Sequence, residues 1–445
     1  MKKKKWYSGW ETGFVLLSLV VSGGLRAERA GDRGGRPNIV MIMADDLGYE
    51  CLSCYGGRSY QTPRLDQLAA EGMKFTHAFS TPYCSPSRAQ LLTGRYPLHN
   101  GIKRVIFLPD KHREFLDPRK ETGFAKLLQN KGYATAIAGK WQLSFLYERD
   151  TVNGFGFDQY QCWKIMDPNH KKNSRYFDPV FVRNGETLEK QLQGKYGPDV
   201  NAEFLIRFMK ENKDRPFMVY YTMLLPHYPW GPTPDSDKVL PKVGGKGNPD
   251  YFPDMVNYMD KLVGRIVDAV DDLGLKENTV IMFTGDNGTQ KPLTSRWGPD
   301  NRVVHGGKGD PSDAGTRVPL IVRWPGKIKA GSINEDLVDF SDLLPTFADL
   351  AQSSLPELPI NGRSFMPQLL GEKGVPRKWV HIEKQGIRYV RSQDWILTNK
   401  GDMRPVVEIG QAPAAAIDLP GTPEQRRIRK QLSAALKAAV SFKQE

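Results

Sequence analysis

The sequence predicts an α/β fold built around a central sheet, and three observations carry that reading. Four runs, 38–44, 133–139, 216–223 and 279–285, are almost continuously apolar, as strands buried on both faces are. Helix-forming segments separate them, the longest over 251–275, where Met255, Tyr258, Met259, Leu262, Val263, Ile266, Val267 and Val270 fall on one helical face. Each run also ends on polar or charged residues, at the strand ends where open α/β sheets collect ligands.

Composition narrows the class. A chain of 445 residues has room for one large domain with an appendage, or for two. With 39% hydrophobic and 25% charged residues it reads as a folded protein, not a disordered one. The net charge of +13 suits an anionic partner. No compact basic cluster is interleaved with aromatic residues, so a nucleic-acid partner is set aside. Lys2 to Lys5, the short apolar core 14–21 and Leu25-Arg26-Ala27 predict a signal peptide over 1–27, hence a periplasmic or secreted protein with no stable membrane anchor after cleavage. Its removal strips Lys2 to Lys5, Arg26 and Glu11 and leaves the chain basic. Among four cysteines, Cys51 and Cys54 have redox or metal spacing, but no second Cys or His pair follows at zinc-site distance. They read as small, half-buried side chains after a strand.

In chain order, the first apolar run ends at Asp45-Asp46-Leu47-Gly48. Two adjacent acids at a buried strand end repel one another unless something positive sits there, and oxygen donors favour a hard divalent cation. Thr62-Pro63-Arg64 opens a helix through Leu65, Leu68 and Ala69, and 73–78 forms a short strand leading to Cys84-Ser85-Pro86-Ser87-Arg88. Ser85 reads as an N-cap and Pro86 as the first helical residue, so a helix is expected to begin just after Cys84. Cys84 then sits at the positive end of the helix dipole with Arg88 above the same face, a nucleophile position beside an anion cradle.

A helix over 123–131 precedes the second run, which delivers Lys140-Trp141-Gln142. Residues 143–200, with Trp163, His170 and the turn pairs Asp167-Pro168 and Asn184-Gly185, read as a long insertion that helps shape a substrate pocket. After a helix around 201–210, the third run ends at Pro226-His227-Tyr228-Pro229, a rigidly held histidine suited to general acid work. The fourth run ends at Asp286-Asn287, a second pair of oxygen-bearing side chains. Gly306-Gly307-Lys308-Gly309 precedes a strand at Arg317-Val318-Pro319, and 338–350 reads as a helix. Short strands over 379–382, 386–391 and 395–398, with a helix over 423–440, predict a smaller C-terminal α+β subdomain over 371–445, after a catalytic domain over 36–370.

Cys84, Pro86, Ser87 and Arg88, followed by Leu92-Thr93-Gly94-Arg95, resemble the signature of the formylglycine-dependent (type I) sulfatases of the alkaline phosphatase superfamily, arylsulfatases among them. Asp45, Asp46, Asp286 and Asn287 match that family's metal ligands, and Lys140, His227 and Lys308 match its sulfate contacts. The resemblance implies a mixed central sheet flanked by helices. It also implies that a maturation enzyme converts Cys84 to formylglycine, and that one calcium ion is held by residue 84 with the four matched ligands. The substrate would be a sulfate monoester, on a glycan or a small aryl compound. One hydroxyl of the aldehyde hydrate, activated by the metal and Asp286, would attack sulfur while Arg88, Lys140 and Lys308 neutralise charge. His227 or Lys308 would protonate the departing alcohol, and the second hydroxyl would expel sulfate.

Two departures stand out. Asp313-Ala314-Gly315 replaces the usual Glu-Gly-Gly, and Gln142 replaces a histidine that contacts the hydrate. Gln142 can donate and accept hydrogen bonds as a substrate-binding group but cannot change charge. Two alternatives therefore stand beside the sulfatase reading: a phosphodiester or phosphonate monoester hydrolase of the same superfamily, and a non-catalytic sulfoglycan-binding protein. A thiol-dependent hydrolase using unmodified Cys84 lacks a dedicated base.

Overall fold

The computed structural model describes residues 35–107, 114–146, 151–167, 169, 171–241, 245–384, 386–411, 414–417 and 421–441. The signal peptide read at 1–27, and His170, lie outside them. Among the described residues twelve strands lead to the C-terminal region: β1 (Asn38–Ala44), β2 (Met73–Phe79), β3 (Ala134–Gly139), β4 (Gln159–Trp163), β5 (Phe181–Arg183), β6 (Glu186–Thr187), β7 (Phe217–Thr222), β8 (Thr279–Gly285), β9 (Thr294–Trp297), β10 (Arg302–His305), β11 (Arg317–Arg323) and β12 (Ser332–Asp339). Ten of them form one sheet in the order β12-β2-β11-β8-β1-β7-β3-β4-β5-β6, and β9 and β10 form a separate antiparallel pair. The sheet is mixed: β8, β1, β7, β3 and β4 are parallel neighbours, whereas β11 pairs antiparallel with β8 and β2.

The four apolar runs are the middle of this sheet, buried along their whole length. Side-chain alternation along β1 sends Ile39, Met41 and Met43 into one core and Val40, Ile42 and Ala44 into the other. The first core is roofed by the helices Cys84–Thr93, Phe124–Asn130 and Leu343–Leu350, the second by Pro63–Ala70, Gly197–Glu211 and Phe252–Asp272. Helices on both faces explain why these strands carry no polar face.

Three local expectations change. Val338 and Asp339 close β12 rather than open a helix, because Asp339 accepts from Ser341 N (2.9 Å) and Asp342 returns a bond to Asp339 N (2.8 Å). This capping box makes a short 3-10 turn, and the α-helix starts at Leu343. Within 143–200, β4 to β6 extend the main sheet beyond β3. Gln161 in β4 is buried and bonded to Asn201 (2.9 Å), which is how a polar residue sits inside a sheet. Cys51, Cys54 and Cys84 are free thiols; Cys51 is fully buried against Thr289 Oγ1 (3.3 Å) and Cys54 partly so.

The C-terminal subdomain is a four-stranded antiparallel sheet, β13 (Val380–Lys384), β14 (Ile387–Arg391), β15 (Trp395–Thr398) and β16 (Met403–Pro405), covered by the helix Pro423–Ser441. Only β16 has no counterpart in the sequence reading. No described helix is long and apolar enough to cross a membrane. His381 of β13 docks this sheet onto the main domain with its ring 5.0 Å from that of Tyr96, both ring nitrogens buried without hydrogen-bond partners among the described residues.

Burial pushes His381 down to about 3, against about 6.5 in an unfolded chain. The folded state therefore binds fewer protons, and stability is lost as pH falls from about 6.5 towards 3. Thermal unfolding followed against pH should show His381→Phe flattening the acid-side slope by up to one proton's worth, about 1.4 kcal/mol per pH unit. An unchanged slope would remove His381 as its source.

Candidate active site

Strand register brings the functional residues to one edge. β1 and β8 run parallel with Ala44 opposite Gly285, so Asp45-Asp46 and Asp286-Asn287 emerge side by side. β3 and β7 run the same way with Gly139 opposite Thr222, so Lys140 leaves at that edge too. Gly139 has φ +114, and a Cβ there would stand 1.8 Å from the Thr222 carbonyl oxygen. Only glycine allows the approach that lets Lys140 N–H donate to that oxygen at 2.8 Å.

The helix Cys84–Thr93 points its N-terminus at the same edge. It starts two residues earlier than the sequence suggested, with Cys84 rather than Pro86 as its first residue and Tyr83 in extended conformation before it. Ser85 does not cap it. Its hydroxyl donates to the Gln142 carbonyl (3.0 Å) and accepts from Ile106 N–H (3.1 Å), bracing the helix start against the strand-end loop. The preceding turn is closed by Ser87, whose hydroxyl accepts from Thr81 N–H and donates to Thr81 O, each at 3.1 Å. The helix ends on Gly94 at φ +68, where a left-handed residue suits glycine.

Buried charges converge here. Lys140 Nζ binds both oxygens of Asp45, at 2.7 and 2.8 Å. Arg88 grips Asp286 Oδ2 through Nε (3.0 Å) and Nη2 (2.7 Å) and donates through Nη1 to Lys140 O. Lys308 Nζ lies 2.5 Å from Asp46 Oδ1, which also accepts from Asn287 Nδ2 (2.9 Å). His227 Nε2 stands 3.5 Å from Asp46 Oδ2, while its Nδ1 donates to Tyr228 O at 2.5 Å. A cavity of about 260 Å³ opens over Cys84, lined by Lys140, Gln142, His227 and Lys308 and walled by aromatic residues including Trp163 and Tyr228.

The Sulfatase family profile matches residues 37–353. The chain belongs to the sulfatase family. It is 34% identical to human arylsulfatase A over 391 residues, covering 81% of this chain and 72% of that one. Against the N-acetylgalactosamine-6-sulfatase of Canis lupus familiaris the identity is 31% over 394 residues, covering 81% and 70%. The crystal structure of PsFucS1 sulfatase from Pseudoalteromonas sp. superposes with a TM-score of 0.71 at 25% identity, covering 92% of this chain and 91% of that one. Sulfate ester hydrolysis is thus the activity of this enzyme, on an alkaline-phosphatase-like fold.

The electrostatics of the sulfatase site follow from burial and pairing. Burial alone would raise Asp45, but Lys140, His227, Arg88 and Lys308 together hold it well below the usual carboxylate range. Burial pushes Asp286 up to about 6, aided by Asp45 and Asp46 and opposed by Arg88 and Lys140. Asp46 Oδ2 and Asn287 Oδ1 are buried acceptors without hydrogen-bond partners among the described residues, and Asp45, Asp46 and His227 offer ligand atoms within 4.8 Å of one another. Orphan oxygens among crowded carboxylates fit a hard divalent cation.

Sequence reading missed Arg175, which is buried in this cavity with Nη1 3.6 Å from Asp45 Oδ2 and its guanidinium 4.0 Å from the Trp163 ring centre. Its only signal was the excess of basic residues in 143–200. Glu50, buried beneath the acid edge and bonded by Thr289, was also missed.

A divalent cation that binds only the folded chain should raise Tm, the stabilisation reaching about 2.7 kcal/mol at a hundredfold excess over Kd. In a thermal scan with calcium, magnesium or chelator, Asn287→Leu and Asp46→Asn should each blunt that rise. A Tm indifferent to all of these ions would rule out the metal site.

Proposed function

We propose that this sulfatase is a periplasmic or secreted enzyme that hydrolyses the sulfate monoester of a saccharide or aryl compound through a formylglycine made from Cys84. The supporting observation is the position of Cys84, at a helix N-terminus on the floor of a cavity whose walls carry Lys140, Lys308 and His227. The hydrate of that aldehyde would supply the attacking oxygen. Calcium is the proposed ion; Asp45, Asp46, Asp286, Asn287 and residue 84 would hold it, and it would supply Lewis acidity and charge for the sulfuryl oxygens.

The chain's own groups do the rest. A sulfate monoester repels nucleophiles by its charge, so Lys140, Lys308 and Arg88 must neutralise it and hold the charge that grows in the transition state. Arg88 lies one helical turn past Cys84 and is locked by Asp286 on one side and the Lys140 carbonyl on the other, so its orientation is set before substrate arrives. Both Lys308 Nζ and His227 Nε2 reach the cavity; Lys308 is the protonated group that can pass a proton to the leaving alcohol, whereas His227, whose ring proton on Nδ1 is held by Tyr228 O and whose charged form burial opposes, presents Nε2 as an acceptor. Gln142 orients the hydrate or substrate by hydrogen bonding. The maturation enzyme that oxidises Cys84 is the implied protein partner.

Cys84→Ala should lower sulfate release from an aryl sulfate by more than about a thousandfold, as loss of a nucleophile does, in protein co-produced with a formylglycine-generating enzyme. Conversion of Cys84 in the parent is verified by peptide mass. Sulfate release that survives the substitution, or phosphate release that exceeds it on matched esters, would overturn the proposal.

A further inference from the structure

Arg175 stands apart from the other cations of the site. Lys140, Lys308 and Arg88 each have a carboxylate within hydrogen-bond distance, in Asp45, Asp46 and Asp286. The acid nearest to Arg175 is Asp45, whose Oδ2 is 3.6 Å from Nη1 and whose two oxygens are already taken by Lys140. Arg175 is 4% exposed, and its Nε and Nη1 have no hydrogen-bond partner among the described residues. Burying a guanidinium with unmet donors is costly unless something arrives to meet them.

The surroundings say what that would be. Arg175 lines the same cavity as Cys84, fixed with its plane against Trp163, a stacking that pre-orients its donors. Lys172, exposed at the cavity's rim, lies over the rings of Phe107 (5.8 Å) and Tyr228 (5.7 Å). One monoanionic sulfate ester already has Arg88, Lys140 and Lys308 to meet it. Two more cations with aromatic faces between them fit a sugar ring bearing further charge.

Building on the sulfatase reading of the same cavity, we propose that Arg175 and Lys172 form a second anion subsite. The preferred substrate is then a saccharide that carries, besides the scissile sulfate, a second anionic group. A second sulfate and a uronic carboxylate share that chemistry.

The test is calorimetric binding to the full-length Cys84→Ala chain of three matched saccharides, with one sulfate, with two sulfates, and with one sulfate and one carboxylate. The two-anion ligands should bind about tenfold or more tighter than the one-sulfate ligand, the margin of one charge-assisted hydrogen bond, and the larger ratio names the second anion. Adding Arg175→Gln should bring the ratio towards one, Arg175→Lys should restore part of it, and Lys172→Gln, at an exposed position, should lower it without touching the buried cluster. A ratio near one in the parent, or one that neither Arg175→Gln nor Lys172→Gln changes, overturns the subsite. Sulfate release by the converted parent is scored separately: its failure with the binding ratio intact would sink the hydrolytic mechanism and leave the subsite standing.

Discussion

Three carboxylates, Asp45, Asp46 and Asp286, are fully buried at the ends of two neighbouring parallel strands, and the rest of the site is arranged to make that tolerable. Removing such groups from water costs several kcal/mol each unless they are paired, and deleting one partner of a buried pair typically costs about 3–5 kcal/mol. Lys140 must therefore leave β3 at the same edge as Asp45, which is why Gly139 is needed. Arg88 must come from a helix whose first turn reaches Asp286. Lys308 must return on a later loop to Asp46. Catalytic geometry and fold stability are here one set of constraints, and a strand slipped by one residue would forfeit both.

This coupling also explains how much could be read from sequence. The middle of the sheet was legible because β8, β1, β7 and β3 are covered on both faces and so write themselves as unbroken apolar runs. The acid pairs and the Cys84 stretch were legible because each follows such a run or opens a helix. β4 to β6 were not: they are short, and Gln161, a buried polar residue satisfied by Asn201, breaks the apolar pattern that marks a strand. The helix read over 338–350 starts late for a related reason: Asp339 caps a short 3-10 turn that places the helix start at Leu343.

Ser85 shows a deeper limit. Its type and position are those of a good N-cap, yet its hydroxyl is spent on Gln142 O and Ile106 N, partners distant in sequence. Arg175 is the same case for charge: nothing adjacent in the sequence marks it, and its meaning depends on Trp163 and Asp45 being brought to it. Local patterns disclose what backbone propensity decides, and side-chain partners across the fold decide the remainder.

Gln142 bears on whether the site is a working one. It sits at φ +51, a left-handed conformation that costs a non-glycine residue about 1 kcal/mol or more, and its carbonyl is pinned by Ser85. The backbone there is held by the fold, so exchanging histidine for glutamine alters proton transfer and leaves placement intact. Its Oε1 is buried in the cavity wall without a partner among the described residues, and such an orphan costs about 1–3 kcal/mol until a donor arrives. A chain freed from turnover has no reason to retain that cost together with the buried Arg88 and Lys140 and the half-buried Lys308. An amide can serve as a neutral hydrogen-bonding partner for a hydroxyl group, a role that needs no change of charge.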